Sequence, residues 1–452
     1  MKFDFQPLEK RVLDDLAAHG RVYLVGGIVR DMLLFQSVDY HDVDVEIYDI
    51  EKDDLEKLLS KYGHVNTVGK AFGIYKLDTL PHFDFALPRL EKKKGPSHKD
   101  FDVLVDQHLD LKTACLRRDF TVNALMYDYQ TGEVIDFFGG LEDLNRHVLK
   151  MVKEDTFQED PLRVLRLAQF ISRLEFGVDS QTKKVCIDMV QKGMLEHLSK
   201  ERIFEEYSKL LMAPVPSLGI VFLSEIGALF EPLLVLKKCN QRLDFHPEGN
   251  VMNHVLLVVD LASLCKNKTS WPLAFMWGCL LHDIGKPAVT TPEGRAPGHH
   301  ESGVRVFREY FSDFFKNKKM KKYVETMIYY HMHLMNMMRS QNKDYSYYKL
   351  LKGIDGIMPL DDLVYISKCD KLGRLANRPE TIEQLDEFVG EKVSRLGNQA
   401  LKPIITGQTL LDMGFQEGKE FKELLDWTYD LQMRGHNYES LVQLLKGRKD
   451  GR

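Results

Sequence analysis

The sequence predicts an α+β chain: a small mixed α/β head followed by an all-helical neck, body and tail. Three observations carry this. Short β-like runs alternate with amphipathic helical runs over the first ~150 residues. From about residue 155 nearly every segment has helical periodicity. The composition, 44% hydrophobic and 29% charged, is that of an ordinary globular chain. At roughly 100–200 residues per domain, the length of 452 residues makes two to four domains.

In chain order, EKRVLDDLAAHG predicts an amphipathic helix closed by a glycine, and RVYLVGG a strand running into a glycine turn. GGIVRDMLL continues as a helix, and DVDVEIYDI reads as the next strand. EKDDLEKLLSKYG is a second glycine-closed helix, and FGIYKL and HFDFALPR are two more strands. TGEVIDFFGGLEDL closes the head, and DPLRVLRLAQFISRLEF opens the helical part. HPEGN at 246–250 is a turn cluster, and TPEGRAPGHHESG interrupts the helices near 291–303. The expected divisions are a head at 1–148, a neck at 149–235, a body at 236–385 and a tail at 386–452.

No apolar run reaches the roughly 18 residues a spanning helix needs. The charged start, MKFDFQPLEKRVLDDL, lacks the apolar core of a signal peptide, so a cytoplasmic protein without a membrane partner is expected. Six scattered cysteines with no CxxC pair argue against both a disulfide framework and cysteine-bound zinc. The net charge of −5 is mildly unlike a nucleic-acid binder, yet basic runs stand at Glu91-Lys92-Lys93-Lys94 and from Lys316 to Lys322. Phosphate affinity follows local potential, not the sum, although such runs taken alone are most often solvated surface.

VYLVGGIVRDMLL is a strand, a glycine turn and a helix start. Gly26 and Gly27 let backbone approach a ligand, and the free N–H groups at the helix start suit a triphosphate. Arg30, in the first turns, can add a charged fork. Asp42 and Asp44 alternate along the next strand, which places both carboxylates on one face as oxygen ligands for Mg2+. Two such ions would activate an attacking hydroxyl and hold the triphosphate. Glu46 lies one step further on that face, and Asp84 stands on another expected strand as a candidate third carboxylate.

GGIVRDMLL followed by DVDVE resembles the head of the nucleotidyltransferase superfamily that includes DNA polymerase beta. More narrowly it resembles the class II tRNA nucleotidyltransferases, the CCA-adding enzymes, and bacterial poly(A) polymerases. Further blocks agree in order: Arg117 to Ala124 (RRDFTVNA), the linker GEVIDFFGGLEDL, Glu159 to Arg166 (EDPLRVLR) and Lys200 to Ile203 (KERI). The resemblance implies a DNA polymerase beta-like sheet. It also implies that Gly26, Gly27, Arg30, Arg118, Asp119, Asn123 and Arg166 handle the nucleotide's sugar and phosphates. Asp160 and Arg163, three apart on an expected helix, share a face and can accept from and donate to a base edge. By resemblance they select cytosine and then adenine. Arg89 and EKKKGPSHK lie where the family has a flexible loop that helps switch from C to A addition. One departure is Phe35, where the family has glycine after two leucines.

The C-terminal half holds a second set. His254, the His282-Asp283 pair and Asp370 have the types and order of the HD phosphohydrolase superfamily. His299 and His331 match the extra histidines of its two-metal members, and Lys286 beside the pair is also typical. Imidazole and carboxylate ligands suit Mn2+, Ni2+, Fe2+ or Mg2+. His246 and His300 are weaker candidates, and His333 is read as a bystander. The function expected is template-independent addition of C and A to the tRNA 3′ end from CTP and ATP. An HD phosphohydrolase or 2′,3′-cyclic phosphodiesterase activity is expected beside it. A poly(A) polymerase or A-only enzyme, and an HD phosphohydrolase with an RNA-binding head, are the alternatives. Nothing in the sequence sets an oligomeric state.

Overall fold

The computed structural model describes residues 3–36, 42–66, 73–93, 101–244, 246–340, 344–375 and 380–450. The chain forms two compact units, Met1–Leu210 with Leu218–Leu229, and Leu211–Ser217 with Phe230–Arg452.

The first unit is built on strands β1 (Arg21–Val25), β2 (Val43–Tyr48), β3 (Val65–Asn66), β4 (Ile74–Leu77), β5 (Leu80–Ala86), β6 (Arg89–Lys93), β7 (Phe101–Val105), β8 (Met126–Asp128) and β9 (Val134–Ile135). Seven of them make one mixed sheet in the order β3-β4-β5-β2-β1-β8-β9. Strand β2 is antiparallel to β1 and parallel to β5, with Asp44 opposite Val25 on one side and Asp84 on the other. Alternation along the strands sorts the two faces. Val22, Leu24, Val43, Val45 and Ile47 enter a large core together with Val12, Leu13 and Leu16 from helix Pro7–Ala17. Tyr23, Val25 and Tyr48 enter a smaller cluster on the opposite face, which therefore also receives Asp44 and Glu46.

The remaining pair, β6 and β7, forms a separate antiparallel ribbon, from Arg89 opposite Val105 to Lys93 opposite Phe101. The segment expected as a flexible loop is thus bounded by strand pairing. Residues 94–100 of EKKKGPSHK lie outside the described residues. Helix Gly27–Phe35 ends at Gln36, which takes a left-handed φ of 58° directly after the exposed Phe35. A non-glycine residue thus takes the left-handed conformation that ends this helix.

The expected division at residue 148 falls inside the first unit. Phe120 is fully buried and meets the rings of Phe157 and Phe170 edge-on at 5.9 and 5.6 Å. Phe170 stands on helix Leu162–Leu174, so an aromatic triad fastens the sheet-side motif to the first long helix.

The second unit is helical. Helix Pro272–Leu281 is buried almost all round, with Phe275, Met276 and Trp277 inaccessible to solvent. It packs against helices Val251–Cys265 and Lys318–Tyr330, and Leu360–Leu372 packs against the first of these. The C-terminal helices Gly407–Asp412, Lys419–Met433 and Tyr438–Asp450 share a small core of their own, including Leu410, Leu424, Leu441 and Leu445. No helix among the described residues is long and apolar enough to cross a membrane.

Candidate active sites

In the first unit Gly26 joins β1 to helix Gly27–Phe35 at φ 73°, a conformation that L side chains rarely adopt. A Cβ there would lie 3.3 Å from Arg118 Nη1 and 3.4 Å from Asp44 Oδ2. The missing side chain thus keeps a cradle open between an arginine, a carboxylate and a helix N-terminus. Gly26→Ala is expected to lower kcat/KM for nucleotide about tenfold by crowding that cradle, measured by steady-state kinetics with melting as a fold control. A variant with normal kcat/KM would show that no ligand enters there.

Asp44 is partly buried on β2, and burial raises its carboxyl above the ordinary range. Asp42, Asp84 and Glu46 push the same way, and Arg118 opposes them. Oxygen donors with unmet negative charge fit a hard divalent cation. Asp42 is exposed and stands one residue before β2 begins. Asp84 is beside Asp44 in register but holds Lys76 Nζ at 2.7 Å. These three carboxylates are not drawn within 4.8 Å of one another among the described residues.

Glu46, which the sequence left without a role, is buried and organises the arginines. It accepts from Arg117 and from Arg118 Nη2, the latter at 2.8 Å, and from the Tyr48 hydroxyl at 3.1 Å. These partners hold its carboxylate below the ordinary range against the opposing effect of burial.

Arg30 is 1% exposed. Its Nε donates to Asp31 at 2.7 Å, Nη1 to Asn123 at 2.5 Å, and Nη2 lies 2.6 Å from Asp31. Its guanidinium also stacks on Phe170, 5.0 Å from the ring centre. Arg30 is therefore not the open fork the sequence suggested. Two of its five N–H groups remain, and Nη2 faces the Gly27 turn at 3.4 Å from a Cβ position there. Asp119 and Asn123 are likewise internal: Asp119 accepts from Asn123 Nδ2 at 2.9 Å and from Arg166 Nε at 2.8 Å.

Asp160 and Arg163 depart from the expected helical pair. Asp160 is extended, with φ −121°, between helices Glu154–Glu159 and Leu162–Leu174, because Pro161 intervenes. Its carboxylate takes Arg202 Nη2 at 2.9 Å. Arg163 donates to the carbonyls of Thr156 and Arg117, both at 2.5 Å. Arg202 was legible only as part of KERI. Its Nη1 and Arg117 Nε are buried without hydrogen-bond partners among the described residues. Arg117 and Arg118 share Glu46, Arg163 holds the Arg117 carbonyl, Arg166 holds Asp119 and Arg202 holds Asp160, a cluster of cations suited to a polyphosphate and a base edge.

In the second unit six predicted ligands converge. His254 stands on helix Val251–Cys265, His282 and Asp283 follow Pro272–Leu281, His299 begins His299–Val306, His331 follows Lys318–Tyr330, and Asp370 is on Leu360–Leu372. His254, His282, Asp283 and Asp370 offer ligand atoms within 4.8 Å of one another, and so do Asp283, His299 and His331. Asp283 belongs to both sets. Its Oδ2 is 3.3 Å from His282 Nε2, and its Oδ1 is 3.4 Å from His299 Nε2. Each histidine points Nδ1 at a main-chain carbonyl: His282 at Cys279, His299 at Ala296 and His331 at Ile328, all 2.8 Å, and His254 at Gly373, 3.2 Å. Donation from Nδ1 leaves the Nε2 lone pairs for a metal. Asp283 Oδ2 is buried with no directed hydrogen bond, although Lys286 Nζ lies 2.6 Å away as an ionic neighbour. This donor set fits two divalent cations bridged by one carboxylate.

Close backbone approach seats the second set. A Cβ on Gly285 would lie 2.2 Å from Gly303 N and from His299 O. The glycine of HDIGK therefore lets the helix carrying His299 press against the His282-Asp283 turn.

Three supports were not foreseen. Arg374 Nη2 reaches Asp370 at 3.0 Å, Glu248 binds His246 Nδ1 at 2.7 Å and lies 3.5 Å from His254 Nδ1, and Gln241 takes Lys286 Nζ at 2.8 Å. Against burial, His254 and His246 hold the Glu248 carboxyl down to about 2. The HPEGN turn thus supplies a support to a ligand as well as a bend. A cavity of about 640 Å3 opens over this centre, with Lys286, Arg295 and Arg374 among its walls.

Three family models match the chain. The family described as Poly A polymerase head domain matches residues 22–150, the HD domain 251–375, and the probable RNA and SrmB-binding site of polymerase A 175–234. The multifunctional CCA protein of Pasteurella multocida is 32% identical over 410 residues, covering 88% of this chain and 93% of that protein. That of Xanthomonas campestris pv. campestris is 32% identical over 379 residues, covering 81% and 89%. Among solved structures, the Bacillus stearothermophilus CCA-adding enzyme in complex with CTP superposes with a TM-score of 0.66 at 20% identity, covering 99% of this chain and 100% of that one. The Thermotoga maritima CCA-adding enzyme complexed with tRNA gives 0.58 at 19%, covering 98% and 96%, a likeness of fold. With its head fold, its ordered motifs and relatives of this extent, the chain belongs to the multifunctional CCA protein family of nucleotidyltransferases and carries an HD domain in its second unit.

Proposed function

We propose that this protein adds C and A nucleotides to the 3′ end of tRNA from CTP and ATP, and that its HD centre hydrolyses a phosphoester, including 2′,3′-cyclic phosphates. The observation that carries the first part is the cradle of Gly26, Asp44 and Arg118, in the same compact unit as the arginine cluster. The tRNA 3′-hydroxyl attacks the α-phosphorus: a bond from O3′ to phosphorus forms, the α–β bridging bond breaks, and pyrophosphate leaves. Asp42 and Asp44 would hold Mg2+, which would supply charge neutralisation at the triphosphate and acidity at the attacking hydroxyl. Gly26 and Gly27 admit the triphosphate to the helix start. Arg118 and Arg166 neutralise it, Arg30 completes the turn, and Asp119 with Asn123 fixes their positions. Asp160 and Arg163 read the base edge, exchanging their present partners Arg202 and the Thr156 and Arg117 carbonyls for the nucleotide. Relatives solved with CTP, with ATP and with tRNA support this reading.

At the HD centre His254, His282, Asp283 and Asp370 would hold one divalent cation, and Asp283, His299 and His331 a second, with Mn2+, Ni2+ or Fe2+ as the ions suited to imidazole. When bound, they supply Lewis acidity at a phosphate oxygen. Lys286 and Arg374 orient the ligating carboxylates and face the anion. The substrates proposed place the protein in the cytoplasm. Purified protein incubated with tRNA lacking its CCA end and each nucleotide separately is the test. Incorporation of C followed by A is expected, and incorporation of A alone would assign an A-only or poly(A) enzyme instead.

A further inference from the structure

The basic run ending at Lys322 remains outside both sites, and its setting is electrostatically unfavourable. Helix Lys318–Tyr330 begins with Lys318, Lys319, Lys321 and Lys322 and has no acidic residue in its first turn. Cations at a helix N-terminus face the positive end of its dipole, where carboxylates are normally favoured. Asn317 caps the helix without bringing charge, accepting from Lys319 N at 2.9 Å and Met320 N at 3.2 Å. Lys318, Lys319 and Lys322 are exposed and, with Lys321, have no carboxylate partner among the described residues. Among the described residues these four lysines at the helix start concentrate positive charge without a carboxylate paired to them.

The same helix borders a hollow of about 420 Å3 shared with helix His299–Val306. Lys322, Tyr329 and Tyr330 come from helix Lys318–Tyr330, Arg305 from helix His299–Val306 with Arg308 just beyond its end, and Gly353 of helix Asp344–Ile354 closes the wall. From Lys322 to Tyr330 the helix rises about 12 Å at 1.5 Å per residue, so the hollow is an elongated groove. Arg308 is paired with Glu325, and Glu301 also borders the groove, but exposed Arg305 has no carboxylate partner among the described residues. Both tyrosines are half-buried and their rings are braced from behind. Tyr329 lies 5.1 Å from His300 and 5.4 Å from His333, tilted 31° to the latter, and Tyr330 lies 4.7 Å from His333. Braced aromatic rings beside unpaired cations are the combination that binds nucleic-acid strands, with bases stacking and phosphates meeting charge.

We propose that the groove between helices His299–Val306 and Lys318–Tyr330 binds a single-stranded stretch of RNA. Tyr329 forms the base-stacking ring, Tyr330 stands at 77° to it as a side wall, and Arg305, Lys322 and the lysine-rich helix start contact the phosphates. The proposal rests on the reading that this chain acts on tRNA. It assigns His300 and His333, which the metal sets leave unused, the work of holding the stacking ring rigid. An acidic protein segment would match the lysines but would leave the tyrosine-walled hollow without a planar ligand.

The test uses the full-length protein and fluorescently labelled tRNA lacking its CCA end, with affinity measured across a salt series. Arg305→Glu with Lys322→Glu is expected to weaken binding about tenfold and to reduce the salt slope by about one to two units. Tyr329→Leu is expected to weaken binding about fivefold with the slope unchanged. Both variants should keep wild-type kcat for nucleotide addition at saturating tRNA, which also shows that they fold. Unchanged affinity in either variant overturns the groove, as does polyglutamate competing as well as an oligoribonucleotide of equal charge. If the wild-type protein binds no tRNA, the functional reading itself falls. If it binds and the variants bind equally well, only the groove falls.

Discussion

Asp44→Asn is expected to lower kcat for nucleotide addition by about 10³-fold or more, roughly 4 kcal/mol at the transition state. The substitution keeps shape and leaves the strand register intact, with residue 44 still opposite Val25 and beside Asp84. It removes the negative charge that the neighbourhood concentrates around a partly buried carboxyl. Arg118 keeps its bond to Glu46, so the arginine cluster stands and CTP binding should change much less than turnover. Asp42→Ala should act in the same direction. Single-turnover incorporation on tRNA lacking its CCA end separates the chemical step from binding. Phosphodiesterase activity of the same preparation should be unaltered, because the HD ligands belong to the other compact unit. Addition surviving above about a tenth of the wild-type rate would mean that the metal is held elsewhere.

Asp283→Asn should have the mirror effect. One carboxylate serves both ligand sets, Oδ2 toward His254 and His282 and Oδ1 toward His299 and His331. An amide presents one oxygen and a nitrogen that cannot ligate, so both cations lose a bridging donor. Phosphoester hydrolysis is expected to fall about 10³-fold, and elemental analysis should find the HD metal gone. A ligand that binds only the folded state stabilises it, by about 2.7 kcal/mol at a hundred times its dissociation constant. Added Mn2+ should therefore raise the melting temperature of the wild-type second unit and leave the variant unmoved. Full metal content in the variant would refute the shared bridge. Nucleotide addition should proceed normally in it.

The parts of both sites that could be read directly are those carried by local spacing. Gly26, Gly27, Asp42 and Asp44 lie within one strand-turn-helix-strand passage, and the HD ligands sit at helix ends whose residue types name the chemistry. The parts that could not be read join residues far apart in the chain. Glu46 looks like a stray charge on an apolar strand until Arg117 and Arg118 close over it from more than seventy positions away. Arg202 meets Asp160 across 42 positions, and Glu248 meets Leu375 N across 127. Helical spacing suggested that Asp160 and Arg163 share a face, but Pro161 kept Asp160 out of the helix. Arg30 was taken for an open fork because its position near a helix start says nothing of Asp31, Asn123 and Phe170 around its guanidinium.

By itself the sequence determined the order of elements, the mixed head and helical body, and which residue types, in which order, are candidates to hold a metal or face a phosphate. Periodicity and spacing are properties of neighbouring residues, and helices and strands form from neighbours. Only the tertiary structure decided which charges are already neutralised, which carboxylate is shared by two ligand sets, and which lysines stand exposed at a helix start. Those depend on burial and on contacts between distant segments, which exist only once the chain has closed on itself.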